Sequence, residues 1–166
     1  LDAELQLLGM RRPLIVTDKG VIAAGLWAKV KEQLPGNMPI TLYDGTPENP
    51  TEAAMREALK IYRDEGCDGI IAIGGGSPMD LAKAVGLMAT HPGGSLQAYS
   101  FVEGGAPKIT AKVAPIVAIP TTSARCASRS CLTIFTRSPP IHATGPVCGC
   151  VAAPNSVFHF FIPTEP

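Results

Sequence analysis

The sequence lacks an excess of charge of either sign. Its 14 Lys and Arg balance its 14 Asp and Glu, which removes the basic footprint that nucleic acid or an anionic membrane surface requires. Neither is expected as a partner. Long hydrophobic runs are also missing: Ile70-Ile71-Ala72-Ile73 and Ile116-Val117-Ala118-Ile119 are strand-sized, far below the roughly 18–20 residues that span a bilayer. The chain opens on Leu1 without a basic and then apolar leader, so a cytoplasmic protein is expected, and with no initiator Met it is expected to continue upstream. No disulfide framework is implied by an odd count of five cysteines, four of which (Cys126, Cys131, Cys148, Cys150) crowd the last third. Free thiols are the expectation. There is no internal repeat beyond the alternation described next, and 166 residues leave room for one core.

What is present, from about residue 12 to residue 123, is a repeating unit: a short apolar run, a turn, then an amphipathic stretch of helical length. Such units stack into a mostly parallel sheet with helices on its faces. Leu14-Ile15-Val16 reads as the first strand, ending at Thr17-Asp18. Residues 22–34 carry Ile22, Leu26, Trp27, Val30 and Leu34 at helical spacing and stop at Pro35-Gly36. Ile40-Thr41-Leu42-Tyr43 gives a second strand. Asn49-Pro50-Thr51 caps a helix whose apolar face is Ala54, Ala58, Ile61 and Tyr62 and which ends near Gly66. The run Gly69 to Ile73 is too continuously apolar to have a wet face, so it belongs in the middle of the sheet. A helix is expected over 81–89, a long Gly/Pro-rich loop over 91–106, and a last strand at Ile116-Val117-Ala118-Ile119.

The chemistry is expected at Gly74-Gly75-Gly76-Ser77-Pro78-Met79-Asp80, between the central strand and the next helix. Glycines there let the backbone approach a ligand, and the helix that follows turns its free N–H groups and positive dipole end toward the gap. Ser77 can add a hydroxyl, and Pro78 is tolerated in a first helical turn because its missing N–H would have no partner. A tight turn without a ligand is the competing reading; the position after a central strand favours phosphate. Asp18 ends the first strand, where an acid can accept from ribose hydroxyls and repel a 2′-phosphate, favouring NAD over NADP; it can equally be a helix cap. Thr121 and Thr122 end the last strand on the same sheet edge, although such pairs also simply close turns.

Taken in order and spacing, Val16-Thr17-Asp18-Lys19, Asn49-Pro50-Thr51, the run from Gly74 through Asp80 to Leu81-Ala82-Lys83, and Ile119-Pro120-Thr121-Thr122-Ser123 resemble the first domain of the iron-containing (group III) alcohol dehydrogenases. The resemblance implies an α/β fold with a Rossmann-like, mostly parallel sheet of the dehydroquinate synthase-like superfold, incomplete in this chain. It implies a nicotinamide dinucleotide as cofactor, a small alcohol or aldehyde as substrate, and reversible hydride transfer assisted by Fe²⁺ or another divalent metal held by an Asp and three His of a helical second domain. By position, Asp18 would meet the adenosine ribose, Gly75, Gly76, Ser77, Pro78 and Asp80 would surround the pyrophosphate, and Asn49, Thr121 and Thr122 would line the cofactor cleft. Glycerol dehydrogenases and dehydroquinate synthases share the superfold, but Ser77-Pro78-Met79-Asp80 is closer to the alcohol dehydrogenases.

The departures divide the chain into a partial dinucleotide-binding domain, 1–123, and a tail, 124–166. In the tail the family's Gly-Thr-Gly-Ser-Glu is replaced by Ala124-Arg125-Cys126, there is no Lys or Asp, and no helical or strand period persists. The tail reads as irregular, either disordered or translated out of frame: Ser-Ala-Arg can be encoded so that a shifted frame reads Gly-Thr. His142, Cys148, Cys150 and His159 fit no common zinc spacing. The metal-binding helical domain and its ligands are expected to be absent, so this chain should bind NAD and not turn over. A non-catalytic phosphate-binding module is the alternative from another class. Self-association through the unfinished sheet edge is expected in either case.

Overall fold

The computed structural model describes residues 1–91, 93, 95–99, 105–110, 112–121 and 133–135. Its elements run α1 (Asp2–Leu7), β1 (Pro13–Val16), α2 (Lys19–Ala23), α3 (Leu26–Lys31), β2 (Thr41–Tyr43), α4 (Glu52–Asp64), β3 (Gly69–Gly74), α5 (Gly76–Thr90), two 3₁₀ turns (Leu96–Tyr99 and Ala106–Lys108), β4 (Ile116–Pro120) and β5 (Thr133–Phe135). The sheet has the order β2-β1-β3-β4-β5. The first four strands are parallel and β5 runs antiparallel to β4. This is the α/β architecture expected from the alternating pattern.

Strand residues alternate between two cores, because successive side chains leave a sheet on opposite faces. Leu14, Val16, Ile70 and Ala72 pack with α4 and α5 through Ala54, Ala58, Leu81 and Val85. Ile15, Ile71 and Ile73 pack on the other side with Leu5, Met10, Val21 and Leu34. Every residue of β3 is buried, which is why that run carries no polar residue: a strand covered on both faces has no wet side. At the N-terminal end of the sheet the Asp68 carboxylate accepts from the backbone N–H groups of Arg11 and Arg12, each at 2.8 Å, and so ties the entrances of β1 and β3.

Four features differ from the sequence reading. The single helix expected over 22–34 is two short ones, because Asp18 starts α2 at Lys19 and Gly25 then turns left-handed (φ 71°) between α2 and α3. Leu26, Trp27, Val30 and Leu34 nonetheless face the second core. Helix α5 begins at Gly76 instead of residue 81, so the glycine turn is itself its first turn. Residues before the first strand form α1, which seats Leu5 in the core with no exposure. Thr133–Phe135, within the segment read as irregular, extends the sheet as β5; its β-branched and aromatic composition suits a strand, but three residues are too few to establish a period. Among the described residues no helix is long and apolar enough to cross a membrane.

Candidate functional site

The chain leaves β1 toward β2 on one side and returns through α4 to β3 on the other, so the strand order reverses between β1 and β3. Open parallel sheets bind ligands at the carboxyl ends of the strands beside such a reversal. Here those ends are Thr17-Asp18 and Gly74-Gly75. An open cleft of about 820 Å³ lies there, bounded by Asp18 and Lys19 after β1, by the 44–48 loop after β2, by Gly75, Gly76, Ser77 and Pro78 at the start of α5, and by Thr121 after β4.

Each wall has a local cause. Under the cleft, the fully buried Thr17 donates its hydroxyl to the Ile73 carbonyl at 2.9 Å. The Asp18 side chain accepts from Val21 N–H at 2.9 Å and caps α2. Thr51 caps α4 in the same way, accepting from Ala54 N–H at 3.2 Å. Helix α5 differs: its N-cap is Gly75, which offers no side chain. The first-turn N–H groups of a helix have no partner inside it, so the 15-residue α5 presents an uncapped, electropositive end to the cleft.

The glycines of this turn have separate reasons. Gly74 has φ +146°, and a Cβ built on it would sit 2.6 Å from Pro78 Cγ and 3.3 Å from Asp18 Oδ2; the fold itself requires glycine there. A Cβ on Gly76 meets nothing within 4 Å. The fold has no packing need for glycine at 76, and the empty space a side chain would take belongs to the cleft.

The loop wall is held at both ends. The Tyr43 hydroxyl lies 3.3 Å from the Gly45 carbonyl and 3.2 Å from a Glu57 carboxylate oxygen. Burial, then the Glu57 charge and hydrogen bond and the Asp44 charge, push its pKa up to about 12. Ser77 donates its hydroxyl to the Glu48 carbonyl, joining the glycine turn to the loop. Between these ties sits Thr46, only 8% exposed, whose N–H reaches the Thr17 carbonyl at 3.4 Å. Its hydroxyl is buried without a hydrogen-bond partner, a condition that costs a fold about 1–3 kcal/mol.

Six of the residues expected from sequence line this cleft together: Asp18, Gly75, Gly76, Ser77, Pro78 and Thr121. Thr121 is joined to the turn by its N–H, which donates to the Gly74 carbonyl at 2.9 Å. Asn49 is exposed in the lead-in to α4, and Asp80 pairs with Lys83 at 2.9 Å; neither is part of the lining. Thr122, His142, Cys148, Cys150 and His159 lie outside the described residues. The sequence reading overlooked Thr17, Lys19 and the whole 44–48 loop. The signal available for the loop was its position directly after β2, at the same sheet end as the other strand exits. Among the described residues, no three His, Cys, Asp or Glu are grouped to hold a metal ion.

A doubly wound sheet with a glycine turn and an uncapped helix at its reversal point is an arrangement found in nucleotide-binding α/β folds. The family model described as iron-containing alcohol dehydrogenase matches residues 1–145, and the chain belongs to that family. The match runs past Ser123, where the sequence reading ended the domain. The chain is 50% identical over 123 residues to 4-hydroxybutyrate dehydrogenase of Cupriavidus necator, covering 74% of this chain and 32% of that protein. It is 30% identical over 139 residues to NAD-dependent methanol dehydrogenase of Bacillus methanolicus, covering 83% and 35%. Among solved structures, a 1,3-propanediol oxidoreductase superposes with a TM-score of 0.65 at 36% identity, covering 74% of this chain and 31% of that one. The chain thus spans about a third of the length of the curated relatives it matches.

Proposed function

We propose that the cleft binds NAD, and that the chain is the cofactor-binding part of an oxidoreductase that moves hydride reversibly between a small alcohol and nicotinamide. The observation that carries this reading is the uncapped start of α5 beside Gly76, at the reversal point of the sheet. Gly75, Gly76 and Ser77 would hold the pyrophosphate through backbone N–H groups, and Asp18 would accept from a ribose hydroxyl. The nicotinamide, when bound, supplies the hydride acceptor.

The distribution of charge supports NAD over NADP. Asp18, Asp44 and Glu48 line the cleft together with Lys19. With three carboxylates to one lysine in the lining, uncharged sugar hydroxyls are accommodated there and an added 2′-phosphate would be repelled. The names of the relatives, a hydroxybutyrate and a methanol dehydrogenase, support a small alcohol as the substrate of the whole enzyme. The described residues do not fit the divalent metal of the family, since no ligand cluster is among them, and no chemical step is assigned to one.

Isothermal calorimetry of the 166-residue chain with NAD tests the proposal. Saturable binding that Gly76→Val abolishes, in a variant that still melts cooperatively, is the expected result. A folded chain that takes up no NAD would overturn it. Binding of inorganic phosphate or adenosine diphosphate with no preference for NAD would favour a non-catalytic phosphate-binding module, which the uncapped helix alone would also serve. No alcohol-dependent NADH formation is expected from this chain by itself.

A further inference from the structure

We infer that Thr46 is a ligand contact of this cleft, supplying the hydrogen bond to a sugar hydroxyl next to the one that Asp18 accepts from. The inference rests on the nucleotide reading above and extends it to a residue outside the glycine turn. Three observations converge on Thr46. It lines the cleft, it is 8% exposed, and its hydroxyl is a buried polar atom with no partner among the described residues. Buried hydroxyls in folded proteins are satisfied with few exceptions, and an exception needs a cause. Backbone geometry gives none: the Thr46 N–H is already directed to Thr17 O, and its neighbour Gly45 is bridged to Asp18, so the residue is held in place while its side chain is left unmatched.

The same bridge sets the class of ligand atom. Thr46 N–H reaches the carbonyl of Thr17, the residue before Asp18, and Gly45, the residue before Thr46, is bridged to Asp18 itself. Of the Asp18 oxygens, Oδ1 is taken by Val21 N–H, leaving Oδ2, which faces the glycine turn near Gly74. A carboxylate only accepts, whereas a threonine hydroxyl both donates and accepts. A vicinal diol suits the pair: one hydroxyl donates to Asp18, and the adjacent one exchanges a hydrogen bond with Thr46. Rotation of Thr46 about χ1 among its staggered positions moves the hydroxyl without moving the loop. Among the described residues the loop offers that hydroxyl nothing else.

The test is NAD titration of the intact chain carrying Thr46→Val, which keeps the shape and removes the hydroxyl, with Thr46→Ser as the conservative control and thermal melting of both without ligand. Thr46→Val should weaken NAD binding by about five- to tenfold, the value of one neutral hydrogen bond, while Thr46→Ser binds within about twofold of the parent. Its melting temperature without ligand should be unchanged or higher, because removing an unpartnered hydroxyl costs the fold nothing. Equal NAD affinity in the parent and Thr46→Val chains overturns the inference and leaves the nucleotide reading standing. A Thr46→Val chain that melts markedly lower also overturns it, since that hydroxyl would then serve the fold. Absence of NAD binding by the parent overturns both readings together.

Discussion

Thr17 and Ile73 are joined across the β1–β3 pair by a buried hydrogen bond from the threonine hydroxyl to the isoleucine carbonyl, 2.9 Å long, at the strand ends where the cleft opens. The two strands diverge into different loops one residue further on, so this bond fixes their separation at the point where the cleft opens. Thr17→Val preserves the shape and removes the donor. It is expected to lower stability by about 1–2 kcal/mol, read as a shift in the urea midpoint at unchanged slope; an unshifted midpoint would show that the bond contributes nothing net.

Gly74 and Gly76 should respond to alanine in opposite ways. Gly74→Ala places a methyl against Pro78 at a positive φ and is expected to destabilise by roughly 1–3 kcal/mol. Gly76→Ala has open space and should leave stability unchanged or raise it by up to about 1 kcal/mol. NAD affinity should nevertheless fall by about tenfold or more, equivalent to about 1.4 kcal/mol. Melting curves and calorimetry on the same two proteins separate the structural glycine from the ligand glycine.

This contrast also marks what sequence can disclose. The periodicity of β1, β3 and α4 was readable because each must bury a stripe or both faces, and burial dictates composition at period 2 or 3.6. The three glycines looked alike in sequence; only the dihedral at Gly74 and the empty space at Gly76 tell them apart. The division of α2 from α3 depends on a left-handed Gly25, which the continuous apolar spacing from Ile22 to Leu34 concealed. Thr46 was invisible for a different reason. An unmatched hydroxyl is a property of its surroundings, and those surroundings are made by chain segments distant in sequence, the exits of β1 and β2.

Helix caps provide a third measurement. Thr51→Ala removes the acceptor for Ala54 N–H and should cost about 0.5–2 kcal/mol. NAD binding should be unaffected, because Thr51 is not part of the cleft lining. Asp18→Asn keeps an acceptor for Val21 N–H and should hold stability within about 1 kcal/mol. The loss of its negative charge should narrow the preference for NAD over NADP in competitive titration; an unchanged ratio would argue against Asp18 as the discriminating group.

Alkaline pH should destabilise the fold through its tyrosines. Tyr43 and Tyr62 both have pKa values raised to about 12, burial being the largest cause in each. The folded chain therefore holds these protons more tightly than the unfolded chain, whose tyrosines titrate near 10. Their contribution is complete below pH 10 and is lost as pH rises from 10 toward 12. Urea midpoints measured between pH 8 and 12 should fall above 10, and Tyr43→Phe should flatten part of the decline.

The Ser77–Glu48 contact has a consequence for how a ligand enters. A serine hydroxyl carries one proton, and here it points at the Glu48 carbonyl. A phosphate at this turn would therefore meet a lone pair at Ser77 and find its donors in backbone N–H groups. Giving that proton to a ligand would mean giving up the Glu48 carbonyl, so one hydrogen bond is shared between the ligand-facing turn and the 44–48 loop.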